Sequence, residues 1–341
     1  MLVPLAPADA DPSPLQPRLR EAVDDIHVDA SRLIAHVGGT QVTADTLSGL
    51  RHALANKLYE VLHAGLDTLS GPRPRTLRDE PYEKLLAQAV PHRETVLSVP
   101  ATSVHEADDE AGQATVVLDG VRTLVPRHLL SPGPGADRVT VRYPCARPAL
   151  SAGFFLVDGS TGRPAGEETV RLYVHVRDPR SAPEIWRRLL LRLEARAVPY
   201  RAKASSSPLL YPRRDAIVVY LDGGRAGEDT AMDVAAPLAD RPGLGSETSL
   251  FARRIAPGLA LADEPDDPRT GMNHMSFGQH RAHAVAQGLV DHALAPDTAD
   301  KRAAVSRSMV RSRIRPDAPW HNVPRSVSAH EPVQEQPMRP V

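Results

Sequence analysis

The sequence predicts an α+β protein in which an N-terminal helical layer precedes a mixed, largely antiparallel sheet flanked by helices. Three observations predict it. Apolar residues recur at three- and four-residue steps in the first third, through Leu47, Leu50, Leu54, Leu58, Val61, Leu62 and Leu66. Short Val-rich runs separated by Gly, Pro and Asp fill the middle, the strongest being Val170-Arg-Leu-Tyr-Val-His-Val176. Helical periodicity returns over 280–294 and 299–314.

Residues 1–15 are rich in Pro and Ala and are expected to be disordered. Residues 16–112 form the expected helical region. Leu19, Val23, Ile26, Leu33 and Ile34 predict a helix from Pro17 to about Ala35. Thr43 or Asp45 caps a second helix, and a third covers Glu80–Ala89. An acidic, polar connection spans Ser103–Gln113.

Residues 113–314 form the expected second region. Strands are predicted at Thr115–Leu118, Val121–Val125, Val139–Tyr143, Gly153–Val157 and Val170–Val176. A helix over Ala182–Ala197 carries Trp186, and strands at Pro199–Ala204 and Ala216–Leu221 follow. A further helix covers Glu228–Leu238. The Pro-, Gly- and Asp-rich stretch from Ala256 to Phe277 reads as a long loop beside a site. The polar tail, 315–341, is expected to be disordered.

Bulk composition excludes several classes. Lys and Arg total 41 against 42 Asp and Glu, so net charge gives no general attraction to nucleic acid or an anionic membrane. The single cysteine, Cys145, rules out an intrachain disulfide and a Cys-based zinc cluster. There is no secretory signal pattern and no run of the ~20 apolar residues that span a bilayer. A soluble, cytoplasmic protein is expected.

Candidate chemistry concentrates in four places. On the strongest strand, alternation puts Arg171, Tyr173 and His175 on one face. That row is either a solvent-facing side or part of a site. Lys203, in Pro199-Tyr-Arg-Ala-Lys203, stands out because lysine occurs otherwise only at 57, 84 and 301. A lysine among arginines can have its ammonium form disfavoured and so supply a base; the plainer alternative is a solvated surface lysine. Arg213 and Arg214 stand at a loop–strand junction with Tyr220 further along, suited to bidentate capture of phosphate or to an ion pair with Asp215. Finally, Ser276 caps a helix that carries Arg281 in its first turns, and a helix N-terminus favours anions. His274, His280 and His283 match no zinc spacing, so no metal is expected.

Taken in order, Ser151-Ala-Gly-Phe-Phe, Arg171-Leu-Tyr-Val-His-Val, Pro199-Tyr-Arg-Ala-Lys203, Arg214-Asp-Ala-Ile-Val-Val-Tyr220, Ala256-Pro-Gly-Leu-Ala-Leu-Ala-Asp and Ser276-Phe-Gly-Gln-His-Arg281 resemble the HopA-type effector family. The resemblance covers about Gly153–Leu294, and Ser-Phe-Gly-x-x-Arg is its most specific element. Members in high-GC bacteria look like the lyase subunits of class V lanthipeptide and thioamitide pathways. The family is distantly similar to phosphothreonine lyase effectors.

The resemblance implies a phosphothreonine-lyase-like fold and β-elimination of phosphate from phosphorylated Ser or Thr. Lys203 would be the base, and Arg171, Arg213, Arg214, Tyr220 and Arg281 would bind phosphate. The expected acid position holds Tyr173 instead of histidine, with His175 the competing choice. No cofactor is implied. The implied partners are a precursor peptide and kinase and cyclase proteins in a heteromeric complex. Three rivals stand beside this: a non-catalytic scaffold, a phosphopeptide-binding module, and a type III secreted effector acting on host phosphoproteins.

Overall fold

A computed structural model describes residues 14–66, 76–106, 112–118, 121–298 and 300–324. The chain starts with α1 (Pro17–Asp24), strands β1 (His27–Asp29), β2 (Ile34–Val37) and β3 (Thr40–Thr43), and α2 (Leu47–Leu58). Helix α2 continues directly into a π-helical turn, Tyr59–Ala64, and α3 (Glu80–Gln88) follows. Six short strands come next: β4 (Glu94–Pro100), β5 (Val104–Glu106), β6 (Gln113–Leu118), β7 (Val121–Pro126), β8 (Leu130–Pro132) and β9 (Arg138–Pro144). The remainder comprises β10 (Ala146–Ser151), β11 (Phe154–Asp158), β12 (Thr169–Val176), α4 (Ala182–Ala195), β13 (Tyr200–Ser205), β14 (Arg213–Asp222), α5 (Gly224–Ala235), β15 (Arg253–Ala256), β16 (Leu259–Asp263), α6 (Phe277–Leu294) and α7 (Lys301–Arg311).

The α+β class stands. A seven-stranded sheet in the order β10-β11-β13-β14-β12-β16-β15 forms the centre, and each of its strand pairs is antiparallel. Helices cover both faces. On one, Trp186, Leu189, Leu190 and Leu193 of α4 join Tyr82 and Leu86 of α3 and Val234 of α5 over Val170, Leu172, Ile217 and Val219. On the other, Leu50, Leu54 and Leu58 of α2 meet Phe277, Val285 and Leu289 of α6 over Tyr173 and Val218. Each fully buried large apolar side chain contributes roughly 1.5–3 kcal/mol, so the two layers hold the sheet rigidly.

Four expectations need correction. The first helix ends at Asp24, and the chain enters β1–β3 instead of continuing to Ala35. The cause is the turn Val37-Gly38-Gly39-Thr40, where both glycines take positive φ and pair Val37 with Thr40. The N-terminal stretch is therefore helical and β together. Second, β6, β7 and β9 lie outside the main sheet, in two three-stranded sheets with their own small core of Leu97, Val99, Val116, Leu118, Val125 and Val141.

Third, the expected loop 256–277 begins with β15 ending and β16 running under the core. Pro257 and Gly258 (φ +71°) supply the tight turn between them. Fourth, the polar tail is ordered as far as residue 324. Gln16 N–H donates to Pro316 O, Asp263 N–H to Trp320 O, and Ile314 bridges Asn322. The expectation of disorder at 325–341 and at 1–13 falls outside the described residues.

Candidate functional site

The helical layer does not close completely over the central sheet. A cavity of about 650 Å³ remains among the π-helical turn, the start of α6 and strands β11–β14. Its sheet wall follows from register. Lys203, Val218 and Tyr173 form one cross-strand row, and Arg201, Tyr220 and Arg171 the next. Arg171 and Tyr173 are buried, so the face of β12 that could have met solvent is instead covered.

Three cations on this wall alternate with two aromatic rings. The Arg171 guanidinium lies 4.9 Å from the Tyr220 ring centroid, and Lys203 Nζ lies 5.7 Å from that ring and 4.2 Å from the Phe154 ring. The Arg213 guanidinium stands 5.0 Å from the centroid of the same Phe154 ring. Cation–ring contacts of this kind offset part of the repulsion among like charges. Arg171 is bonded in bidentate fashion to Glu264, and Arg213 to Asp215. The Lys203 side chain has no hydrogen bond or ion pair among the described residues. It lines both the main cavity and an adjoining groove of about 340 Å³ that also exposes Tyr220 and Glu264.

Burial pushes the Tyr173 hydroxyl far up, against the opposing pull of Arg171, whose Nη1 donates to it at 3.4 Å. It stays protonated throughout the physiological range. Burial works against the charge on Asp215, but the Arg213 guanidinium and His63 hold its carboxyl well below the ordinary range.

The residues predicted from sequence do not all converge. Arg171, Tyr173, Lys203 and Arg213 line the main cavity, and Tyr220 the adjoining groove. His175 does not reach either. The register of β12 on β14 shifts between Val174 and Val176, His175 Nδ1 bonds Glu247 O at 2.9 Å, and its ring lies against Gly245 with no space for a side chain there. Arg214 also turns away, pairing with Glu247 and donating to Val61 O at 2.8 Å.

Arg281 is buried outside the cavity. It donates to Pro319 O at 3.0 Å and Asn322 Oδ1 at 2.9 Å, shares a hydrogen bond with His280 Nδ1 at 2.8 Å, and stacks 4.6 Å from the Phe277 ring. Its bonds tie the 315–324 segment to α6.

Sequence reading missed His63, Tyr59, Asp215 and Ser249 as a group. His63 and Tyr59 sit on the π-helical turn, a geometry found disproportionately at functional sites. His63 Nδ1 lies 2.8 Å from Ser249 Oγ, and Nε2 lies 3.5 Å from Asp215 Oδ2. Arg213 donates to the Tyr59 hydroxyl at 2.7 Å. The available signal was a Tyr and a His one turn apart on one helix face.

The Ser-Phe-Gly-x-x-Arg element now has a physical reading. Ser276 caps α6 in a reciprocal capping box with Gln279. Phe277 packs against the rings of His63 and Tyr173, each 5.8 Å away between centroids. A side chain at Gly278 would stand 2.2 Å from His63 Cδ2, so glycine is what allows the histidine to approach. The N-terminus of α6 thereby faces the cavity with its partial positive charge.

Fold and cavity together define an α+β protein with a cationic, aromatic-lined pocket suited to an anionic ligand. The HopA1 effector protein family matches residues 145–320, more than half of the chain, and the protein belongs to that family. The chain is also similar to the solved effector protein from Pseudomonas syringae pv. tomato strain DC3000, with 14% identity, 80% of this chain and 95% of that chain covered, and a TM-score of 0.46. The effector protein from Pseudomonas syringae pv. syringae strain 61 gives 14% identity, 80% and 96% coverage, and a TM-score of 0.43. No curated protein matches. Among the described residues, no helix is long and apolar enough to cross a membrane, and no cluster of His, Cys, Asp or Glu could hold a metal ion.

Proposed function

We propose that the protein is a lyase that eliminates phosphate from phosphorylated Ser or Thr in a peptide, leaving dehydroalanine or dehydrobutyrine. The observation that carries this reading is Lys203, a lysine with no carboxylate partner among the described residues, set between Arg171 and Arg213 on the wall of a peptide-sized cavity. The neutral amine of Lys203 takes the proton from Cα. The electron pair forms the Cα–Cβ double bond, and the Cβ–O bond breaks. Arg171, Arg213 and the N-terminus of α6 stabilise the charge gathering on the leaving phosphate. The Tyr173 hydroxyl adds a hydrogen bond to it. His175 takes no part, because its ring is held away from the cavity.

The adjoining groove gives the peptide on either side of the phosphorylated residue a way out past Lys203. In this reading a partner kinase prepares the substrate from a precursor peptide, and a cyclase consumes the dehydroamino acid. Mass spectrometry of synthetic phosphoserine and phosphothreonine peptides tests the proposal. The expected result is loss of one phosphoric acid unit, absent with Lys203→Ala. Stoichiometric binding with the phosphate retained, with and without a kinase, would instead indicate a phosphopeptide-binding module.

A further inference from the structure

Resting on the lyase reading, we propose that His63 is the acid that protonates the departing phosphate, presented from the helical layer instead of from the sheet. The leaving oxygen needs a proton, because phosphate expelled without one is a strong base. On the sheet side the Tyr173 hydroxyl, which accepts from Arg171, holds its proton tightly.

His63 meets the requirements of an acid on geometry. Its ring lines the cavity wall opposite the strands. Nδ1 is held 2.8 Å from Ser249 Oγ, and that oxygen is itself fixed by Phe251 N–H at 3.1 Å, so the ring orientation is set. Among the described residues Nε2 has the 3.5 Å approach of Asp215 alone, which leaves this nitrogen room for a second partner. The ring edge meets Tyr173 at 5.4 Å between centroids, and Gly278 clears the side facing α6. The charged groups around it are Asp215 and Arg213 on β14 and Arg171 on β12, with the Tyr59 and Tyr173 hydroxyls uncharged.

Burial holds His63 below its ordinary range in the protein alone, with Asp215 opposing that shift. A phosphate dianion arriving between Arg171 and Arg213 adds negative charge beside the ring and favours the imidazolium. The proton is therefore taken up with the substrate. In the imidazolium, Nδ1 donates to Ser249 Oγ and Nε2 faces the bridging oxygen. When the Cβ–O bond breaks, its electron pair goes to that oxygen and takes the Nε2 proton. The products are the dehydroamino acid and monohydrogen phosphate, with Lys203 as ammonium and His63 neutral. Exchange with solvent restores both.

The experiment compares wild type, Lys203→Ala, Tyr173→Phe and His63→Gln on a phosphoserine peptide and on its sulfoserine counterpart, with thermal unfolding as the folding control. Sulfate is a weak base and leaves without a proton. His63→Gln is expected to lose roughly 10²–10⁴-fold on phosphoserine and far less on sulfoserine. Its phosphoserine rate should also lack the fall on the alkaline side of the wild-type pH profile. The pH profile decides alone if sulfoserine is not turned over by wild type. Retention of that alkaline fall in a folded His63→Gln protein, or its loss in Tyr173→Phe instead, would overturn the assignment to His63. Absence of phosphate release by wild type overturns the lyase reading itself, and with it this proposal.

Discussion

Two arginine sites lie on either side of Tyr173 and Phe277, and they use the same side chain for opposite purposes. Around the cavity, Arg171 and Arg213 are paired with Glu264 and Asp215, yet both guanidinium groups still border open space. Arg281, a few residues into α6, touches no carboxylate among the described residues. Its contacts among the described residues are to a carbonyl, an amide oxygen, an imidazole and a ring, and burial pulls its pKa down to about 9. The first site is arranged to receive an anion. The second is closed and serves as a tie between α6 and the C-terminal segment. The difference lies in the neighbours supplied by distant parts of the chain.

The largest effect that separates the two is on turnover. Lys203→Ala should reduce phosphate release by roughly a thousand-fold or more, while denaturant unfolding shifts by no more than about 1 kcal/mol, since among the described residues only the ring contacts of Lys203 are lost. Arg213→Ala should cost about 3–5 kcal/mol, because it leaves the Asp215 carboxylate buried and unpaired. Pairing Arg213→Met with Asp215→Leu should recover much of that stability and none of the turnover, measured by urea melts and phosphate release.

Arg281→Ala should cost about 3 kcal/mol through the stranded Pro319 carbonyl and Asn322 amide. The folded fraction should still release phosphate; loss of turnover in protein shown to be folded would erase the distinction drawn above.

Acid should also act on the closed site. Burial, and next the Arg281 charge, hold His280 at about 4, below its ordinary 6.5. The unfolded chain therefore binds a proton that the folded one refuses. Stability is fully present above pH 6.5 and falls as pH drops from 6.5 to about 4. His280→Gln should flatten the slope over that window by about one proton. The smallest effect is expected from Gly278→Ala, about 1–3 kcal/mol, as the new methyl displaces His63.

Much of the central sheet was legible in the sequence, because Val170–Val176 and Ala216–Leu221 are apolar enough to name themselves as strands. The β1–β3 sheet was not, since its register depends on two glycines whose φ only tertiary structure reveals. The sheet side of the site was readable, because alternation along β12 and β13 fixes which residues share a face. Its other half was hidden. His63 and Asp215 lie far apart in the chain and meet only where a π-helical turn packs on β14, and no local pattern encodes that meeting. Arg281 resembled a ligand-binding residue because a motif preserves identity but not surroundings.

The widened turn at Tyr59–Ala64 has a consequence for how the chain can change. Such a turn holds one residue more than an ordinary helical turn. Removing a single codon there would restore regular winding and re-aim the side chains within the turn itself. His63 would then leave Asp215 and Ser249 without any substitution in the motif-bearing strands. Relatives that lack this one residue are expected to have let the histidine drift as well. A length difference of one position, invisible to any tally of catalytic side chains, would thus sort the family into members that keep the cavity's second wall and members that have given it up.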